Sequence, residues 1–304
     1  MSVAQPDRRV LSIQSHVVSG YVGNKSATFP MQVHGYEVDA INSVQLCNHT
    51  GYQVFQGQVL NADELRSLSD GLKANDINHY SHLLTGYVGS KSFLREVIQV
   101  VKELRKKNPD ITYVCDPVMG DNGRFYVPEE LMPIYRDDLL PLADMITPNQ
   151  FEAELLSGQK ITNEQTALEA MQILHDKGIR TVVLSSLSTE SGKLVSYGTT
   201  VVDGKRTGCR VEYPAFDCQF TGTGDLFSAL LLVWSHKYHD NLQLALEKTL
   251  SGMQAVLQRT LQSAQELAGP GNKPTPPQRE LRMVQSKADI EDPKLCVKAT
   301  PLQF

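Results

Sequence analysis

The 304 residues of the chain suffice for one large domain or two ordinary ones, and a chain this long can bury a core without disulfide or zinc support. Hydrophobic residues make up 41% and charged residues 21%, as in ordinary globular proteins. The formal net charge of −5 argues against a general nucleic-acid or anionic-membrane binder, although a small basic pocket for a phosphate remains compatible with it.

Cysteine usage and the first residues predict a reduced, cytosolic protein. The 5 cysteines are odd in number, form no C-x-x-C pattern, and include Cys115 within the apolar run ITYVC. Residues 1–15 contain no apolar leader core, and no apolar run approaches the length of a membrane span. We therefore expect a cytosolic location and no membrane partner.

Apolar runs typical of strands alternate with segments of helical spacing along the first half of the chain. We predict strands over residues 9–15, 37–42, 82–86 and 111–116. We predict helices over residues 61–74 and 90–107, and Asn108-Pro109 is expected to end the second helix.

The second half continues this alternation and defines the fold class. We predict strands over 143–147 and 181–186, helices over 163–177, 223–236 and 241–266, and a Pro- and Gly-rich loop over 269–277. Residues 193–202 interrupt the alternation and are predicted to form a strand pair at an antiparallel edge. The sequence thus predicts one α/β domain over residues 1–304, with a mostly parallel central sheet, flanking helices and a small antiparallel edge.

Polar residues follow or end several predicted strands, where the ligands of open parallel sheets bind. They are Ser15, Asp116, Thr147 with Asn149, and Ser185 with Ser186. Residues from separate strands at one edge predict a shared cleft, although polar loop residues are also common at strand ends.

The stretch Gly222-Thr223-Gly224-Asp225 directly precedes a long apolar segment. Glycines weaken a helix interior but suit its start, where free N–H groups attract anions. The functional hypothesis is an anion hole beside an acid, Asp225, that takes a proton from an attacking hydroxyl. The alternative is a glycine turn in which Asp225 caps the helix.

Two further acidic motifs carry a structural and a functional alternative. Asn149 and Glu152 have N-x-x-E spacing, which favours a capped helix but also suits oxygen contacts near phosphates and a water-bound Mg²⁺. Asp116 and Asp121 flank a turn, and either acid could approach a cation, although a strand-ending Asp-Pro turn is equally expected. The segment around His49 is polar and aromatic. His49 could bind a ligand, but a loop histidine is more often solvated, and we expect it to be so.

Standard nucleotide motifs do not match. Residues 20–26, GYVGNKS, lack the spacing of a Walker A loop, and no G-x-G-x-x-G follows a predicted strand. The sequence also contains no H-E-x-x-H, no zinc-type Cys/His spacing and no G-x-S-x-G. A P-loop NTPase and a Rossmann dinucleotide enzyme are therefore not supported.

Taken together, the chain resembles the pyridoxal kinases of the ribokinase-like superfamily over nearly its whole length. The resemblance rests on SIQSHVVSGYVGNKSATFPMQ (12–32), CNHTGY (47–52), LLTGY (83–87), CDPVMGD (115–121), ADMITPNQFEAELLSG (143–158), GTGDLFSA (222–229) and ELRMVQSKADIEDP (280–293). The GTGD element is shared across the superfamily, whereas the opening stretch and ELRMVQSK are more specific. Residues 121–126 form a shorter active-site flap than the one associated with animal members, and residues 187–210 align poorly.

The resemblance implies ATP-dependent phosphorylation of the 5′-hydroxymethyl group of pyridoxal, pyridoxine or pyridoxamine. It implies that Asp225 is the catalytic base and that Gly222, Thr223 and Gly224 form the anion hole. It further implies pyridine-ring contacts at Ser15, Val22, Thr50 and Tyr87, nucleotide contacts at Asp121, Asn149, Ser185, Ser186, Phe216, Phe220 and Thr221, and metal-associated positions at Asp116, Thr147 and Glu152. Such kinases use Mg²⁺ and a monovalent cation, K⁺ or Na⁺, and form homodimers.

A mechanistic expectation and two alternatives follow from the resemblance. A helix start should lower the pKa of Asp225, so this acid would orient the hydroxyl and accept its proton late in the transfer. The nearest alternative is a hydroxymethylpyrimidine-type or sugar kinase on the same fold. The other is a non-catalytic protein that binds pyridoxal phosphate or nucleotide.

Overall fold

A computed structural model describes residues 8–189, 192–239 and 241–304. The strands in these ranges are β1 (Arg9–Val17), β2 (Glu37–Leu46), β3 (Gly57–Val59), β4 (His82–Thr85), β5 (Thr112–Cys115), β6 (Gly120–Asp121), β7 (Arg124–Phe125), β8 (Met145–Ile146), β9 (Thr181–Ser188), β10 (Lys193–Val202), β11 (Lys205–Pro214) and β12 (Ala299–Pro301). The α-helices are α1 (Asn24–Val33), α2 (Ala62–Ala74), α3 (Lys91–Lys107), α4 (Met132–Ile134), α5 (Gln150–Ser157), α6 (Glu164–His175), α7 (Thr223–Lys237), α8 (Leu242–Ala268) and α9 (Lys287–Glu291). Residues 1–7, for which the sequence predicts no leader, lie outside the described ranges, as do residues 190 and 191 of the poorly aligned segment.

One large sheet organises the chain, with strand order β12-β11-β10-β9-β8-β5-β4-β1-β2-β3. Neighbouring strands from β9 to β2 pair in parallel, whereas the pairings beyond β9 and beyond β2 are antiparallel. The predicted α/β class with a mostly parallel sheet is confirmed. Antiparallel strands occur at both edges, however, rather than at one.

The predicted strand pair over residues 193–202 is wrong, because these residues form the single strand β10. Its partner is β11, and the two are joined by a tight turn in which Asp203 and Gly204 have φ values of 50° and 73°. A two-residue turn with positive φ at both positions matches the twist of a β-hairpin. The sequence analysis thus assigned both strands of the hairpin to residues that form only its first strand, β10.

Side-chain capping explains why several predicted helices begin where expected. Asn61, Ser90 and Asn163 accept hydrogen bonds from the first turns of α2, α3 and α6. The sequence did not reveal α1, since it contains Pro30 and has no side-chain cap at Gly23. A 3₁₀ turn over Pro276–Arg279 interrupts the predicted loop 269–277.

Helices cover both faces of the sheet because strand side chains alternate between two cores. Leu83, Tyr113 and Val182 lie in the core that also contains residues of α2, α3, α5 and α6. Leu84 and Val114, the next residues along their strands, lie in the core beneath α1, α7 and α8. Parallel strands buried on both faces read as continuous apolar runs, as the sequence shows.

Helix α7 is apolar on every side because it packs between α1 and α8 against the sheet. Residues from Leu226 through Trp234 are all buried. No helix in the part of the chain that the structure describes is both long and apolar enough to cross a bilayer. The burial of α7 fixes the position of its first turn at the sheet edge.

We predict that Leu230→Ala in α7 lowers the free energy of unfolding by about 2 to 5 kcal/mol, because it leaves a cavity at a fully buried position. The matched control is Leu267→Ala on α8, where Leu267 is 56% exposed. The control should cost less than about 1 kcal/mol. Urea denaturation measures both, and equal losses would contradict the packing described for α7.

Candidate active site

The polar residues predicted at strand ends lie at the carboxyl edge of the sheet. Ser15 lies near the end of β1, and Asp116 and Thr147 directly follow β5 and β8. Ser185 and Ser186 lie in the carboxyl-terminal half of β9. Because β1, β5, β8 and β9 run in the same direction, all these residues face one edge, where α7 also begins.

The glycine turn before α7 is required by packing as well as by any ligand. Gly222 is the N-cap residue, with a φ of 81° in the left-handed region that favours glycine. A Cβ at this position would lie 1.9 Å from the carbonyl oxygen of Tyr21. A Cβ on Gly224 would have Asp116 Oδ2 as its nearest neighbour, at 3.7 Å. Gly222 therefore serves the fold, whereas a Cβ on Gly224, in the first turn of α7, would make only an ordinary van der Waals contact.

Asp225 does not cap α7, so the capping alternative is wrong. Among the described residues, no side chain caps this helix at Gly222. The Asp225 carboxylate reaches another segment, where its Oδ2 accepts a 2.7 Å hydrogen bond from the N–H of Gly23. Burial raises the pKa of Asp225 above its ordinary value, and the bond from Gly23 offsets part of that rise. The expected lowering of this pKa is also wrong, because the loss of water dominates.

Gly23 joins the start of α7 to the end of β1. Its φ is 53°, and a Cβ would lie 2.0 Å from the carbonyl oxygen of Ser15 and 2.4 Å from Ser15 Oγ. Ser26 adds a second link, since its hydroxyl donates to the Gly222 carbonyl at 3.0 Å. Sequence reasoning missed Gly23, although the paired glycines of GYVGNKS were the available signal.

Asp116 lies in a buried acidic environment beside this turn. It is 5% exposed, and burial raises its pKa well above the ordinary value. The charges of Glu152 and Asp225 raise the pKa further, whereas the hydroxyls of Ser228 and Thr147 lower it. Three carboxyl groups thus share a region with little water, which favours binding of a positive charge.

Ser228 is a further residue that sequence reasoning missed. Its hydroxyl lies 2.8 Å from Thr147 Oγ1 and donates to the Gly224 carbonyl at 3.0 Å. It is 1% exposed and lies one helical turn after the glycine stretch. The signal was a lone polar residue within the apolar run LFSALLL.

Asn149 and Glu152 cap α5, so the structural alternative for this pair is confirmed. The side chain of Asn149 accepts from the N–H of Glu152, and Glu152 Oε2 accepts from the N–H of Asn149, both at 3.0 Å. Glu152 Oε1 also accepts from the N–H of Met119 at 2.9 Å. Burial raises the pKa of Glu152 to about 7 despite these hydrogen bonds. The pair therefore fixes the segment after β5 and still holds a carboxyl group beside Asp116.

The residues predicted to contact the pyridine ring lie on loops at the same sheet edge. Val22 precedes Gly23, and its Cα is 3.3 Å from the position of a Cβ on Gly222. Thr50 is exposed in the loop after β2, and Tyr87 is half-buried after β4. The Tyr87 carbonyl accepts from Ser43 at 2.9 Å, which fixes the backbone at this position.

The residues predicted to contact the nucleotide lie on the β6–β7 hairpin, at the cap of α5, on β9 and on the segment before α7. Asp121 ends β6, and Asn122 donates to it from both its backbone and its side chain. The N–H of Ser185 donates to the Pro148 carbonyl at 3.0 Å. The rings of Phe216 and Phe220 meet edge to face at 6.1 Å, leaving Thr221 exposed before α7.

Glu280 reaches this edge of the sheet from the carboxyl-terminal part of the chain. Its Oε2 accepts from the N–H of Tyr21 at 3.1 Å, and its Oε1 accepts from the Tyr52 hydroxyl at 2.8 Å. His49 Nε2 lies 3.3 Å from the same Oε1. Burial alone would raise the pKa of Glu280, but the hydrogen bonds from His49 and Tyr52 outweigh it and lower this pKa.

The expectation that His49 is solvated is wrong. It is 8% exposed, and its Nδ1 accepts a 3.1 Å hydrogen bond from the N–H of Gly51. Because Nδ1 accepts, the ring proton is on Nε2, which therefore donates to Glu280. His49 thus fixes the shape of its own loop.

Comparison with known proteins identifies the family. Residues 33–272 match the family model for phosphomethylpyrimidine kinase. The chain is 56% identical to pyridoxal kinase of Sus scrofa over 97% of its length and 96% of that protein. It is 52% identical to pyridoxal kinase of Arabidopsis thaliana over 98% of its length and 97% of that protein.

A solved structure of pyridoxal kinase from Leishmania donovani, in complex with ADP and pyridoxamine, has the same fold. The TM-score is 0.90 at 38% identity, with 97% of this chain and 100% of that chain covered. The full-length relatives are thus pyridoxal kinases, and the phosphomethylpyrimidine kinase model describes the shared part of the fold. The chain belongs to the pyridoxal kinase family of the ribokinase-like superfamily.

Proposed function

We propose that this chain transfers the terminal phosphoryl group of ATP to the 5′-hydroxyl of pyridoxal, pyridoxine or pyridoxamine, with Asp225 as the proton acceptor. The position of the Asp225 carboxylate is the observation that supports its role as proton acceptor. Its carboxylate lies at the start of a helix, is held by Gly23 beside Ser15, and has a raised pKa. The identity with pyridoxal kinases over nearly the whole chain supports the substrate.

Phosphoryl transfer asks the protein chiefly to position the reactants and to neutralise charge. We propose that the N–H groups of Thr223, Gly224 and Asp225 face the moving phosphoryl group, since they lie in the first turn of α7, where N–H groups lack partners within the helix. The helix dipole adds about 0.3–2 kcal/mol to this attraction, depending on burial. The hydrogen bond from Gly23 to Oδ2 leaves Asp225 Oδ1 for the alcohol of the substrate. Burial makes this carboxylate a stronger base than one in water.

A divalent cation fits the acidic region beside this turn. Among the described residues, no three His, Cys, Asp or Glu side chains are arranged to hold a metal ion by themselves. Mg²⁺ commonly completes its shell with water and substrate phosphates, so a full protein cage is not required. We propose that Asp116, Thr147 and Glu152 hold Mg²⁺ together with ATP. When bound, Mg²⁺ would neutralise phosphate charge. Burial is the main cause of the raised pKa values of Asp116 and Glu152, with neighbouring acids adding to both, and a nearby cation would offset that cost.

The remaining proposals concern contacts and assembly. Ser15, Val22, Thr50 and Tyr87 would surround the vitamer. Asp121, Asn149, Ser185, Ser186, Phe216, Phe220 and Thr221 would contact ATP. A monovalent cation (K⁺ or Na⁺), one domain over residues 1–304, a homodimer and a cytosolic location rest on the family resemblance.

Phosphorylation of a hydroxymethylpyrimidine is a second candidate function, because residues 33–272 match the phosphomethylpyrimidine kinase model. Both substrates are flat heteroaromatic alcohols, so the fold does not separate them. A site built to hydrogen-bond one ring leaves polar groups unpaired against the other.

The first prediction concerns substrate choice. With Mg·ATP, the chain should release ADP with pyridoxal at a kcat/KM at least roughly tenfold above that with hydroxymethylpyrimidine or ribose. A coupled ADP assay with this panel, with and without K⁺, measures the ratio. Higher activity with hydroxymethylpyrimidine would favour the second candidate, and nucleotide binding without ADP release would indicate a non-catalytic protein.

The second prediction concerns Asp225. Asp225→Asn should lower kcat by roughly 10²–10⁴-fold, because the amide cannot accept the proton. The fold should persist, since the amide oxygen still accepts from Gly23 and one buried charge is removed. Steady-state kinetics and urea denaturation measure both effects. The control is Asp70→Asn, an exposed acid on α2, and pyridoxal phosphorylation at the same rate in both variants would remove Asp225 from this role.

The third prediction concerns Glu152 and pH. The folded chain holds the Glu152 proton up to about pH 7, whereas the unfolded chain releases it near 4.5. The stability contributed by this group is therefore present below about pH 4.5 and lost as the pH rises through about 7. Glu152→Gln should cost stability at every pH, because it disrupts the cap, and should flatten the decline in stability between these values.

Urea denaturation of both proteins across this pH range, without divalent cation, checks the third prediction. Parallel curves for the two proteins would contradict the raised pKa of Glu152. In steady-state kinetics, Glu152→Gln should also raise the Mg²⁺ concentration needed for half-maximal rate. A variant that changes stability alone would leave Glu152 as a capping residue.

A further inference from the structure

We propose that Glu280 is a positioning residue that holds the two vitamer-binding loops in register, an inference that rests on the proposed function. Glu280 belongs to ELRMVQSK, a motif to which the proposed roles assign no residue. Its side chain is 14% exposed and accepts hydrogen bonds from residues more than two hundred positions away. These contacts join the loop after β1 to the loop after β2.

Each contact lies next to a residue proposed to touch the vitamer. The N–H that binds Glu280 Oε2 belongs to Tyr21, the neighbour of Val22. The groups that bind Oε1 belong to His49 and Tyr52, which flank Thr50 on both sides. Movement of the Glu280 carboxylate would therefore displace both loops.

The loop after β1 is shaped to receive this carboxylate. Gly20 has a φ of 92°, and a Cβ there would lie 2.4 Å from both carboxylate oxygens of Glu280. A side chain at position 20 would therefore occupy the place of Glu280. The His49 and Tyr52 rings meet edge to face at 4.9 Å, which closes the second loop around the same oxygen.

The backbone around Glu280 is anchored in the core, which holds the Glu280 carboxylate in place. Leu281 and Met283 are 1% and 0% exposed. The N–H of Arg282 donates to Thr260 Oγ1 on α8 at 2.9 Å. Arg279 donates to the carbonyl of Gln219 at 2.8 Å, in the segment that leads to the glycine turn.

This arrangement predicts a selective effect on the vitamer. Replacing Glu280 with glutamine removes the charge and weakens the hydrogen bonds to both loops. In some rotamers the NH2 of the new side chain would face the N–H of Tyr21, and neither group can accept from the other. Hydrogen bonds to charged groups are the stronger ones in proteins. The hydrogen-bond partners of Glu280 described here are Tyr21, His49 and Tyr52, none of which is proposed to contact ATP, so ATP binding should change less than vitamer binding.

The test compares Glu280→Gln and Tyr52→Phe with the control Glu291→Gln, an exposed acid on α9. Glu280→Gln should raise the KM for pyridoxal roughly tenfold and leave the KM for ATP within about twofold. Tyr52→Phe, a mild change that removes one donor, should raise the pyridoxal KM roughly threefold. The pyridoxal KM of the double variant should exceed that of Glu280→Gln alone by less than roughly threefold, because both changes affect the same hydrogen bond between Tyr52 and Glu280. The control should change neither KM.

Steady-state kinetics with each substrate varied in turn, and titration of pyridoxal without ATP, provide the readouts. An unchanged pyridoxal KM in both variants, or an equal rise in both KM values, would overturn the inference while the proposed function stands. If Glu280→Gln fails to fold, Tyr52→Phe decides by the same criteria. Failure of the unmodified chain to phosphorylate pyridoxal would reject the proposed function itself, and this inference with it.

Discussion

The site depends on close contact between the start of α7 and the loop after β1. Gly222 can approach the Tyr21 carbonyl only without a side chain, and Gly23 likewise approaches Ser15 only as a glycine. This contact brings the N–H of Gly23 within 2.7 Å of the Asp225 carboxylate. Because α7 is buried along most of its length, its first turn cannot shift to admit a larger residue without disturbing the core. The same contact between α7 and the loop after β1 therefore determines both the packing of the fold and the position of the proposed base.

Burial determines the chemistry of the acids around this contact. Asp116, Glu152 and Asp225 each have a raised pKa because water is excluded from them, and the charges of the other two add to the effect at Asp116. A cation would relieve this cost, which supports the proposed role of Mg²⁺ with ATP. Glu152 caps α5 and is also one of the residues proposed to hold Mg²⁺. Its hydrogen bonds fix the segment after β5, and its charge faces Asp116.

The segment around Glu280 reaches the sheet edge at which the loops proposed to bind the vitamer lie. Loops have few backbone hydrogen bonds of their own, so their shape depends on outside partners. For the loops after β1 and β2, the carboxylate of Glu280 is one such partner, anchored by the buried side chains of Leu281 and Met283. The specific motif ELRMVQSK thereby acquires a physical role through the placement of Glu280.

The sequence by itself determined the elements whose signals are local. Apolar runs predicted the parallel strands, and helical spacing predicted α2 and α6, which begin in the structure at the caps Asn61 and Asn163. Local features also singled out the glycine turn and Asp225, and the resemblance favoured their functional role over the capping alternative. Only the tertiary structure revealed Gly23, Ser228 and Glu280, and it reversed the expected pKa shift of Asp225. The reason is that caps and periodicity arise from residues within a few positions of each other, whereas burial and contacts between distant loops exist only once the chain has folded.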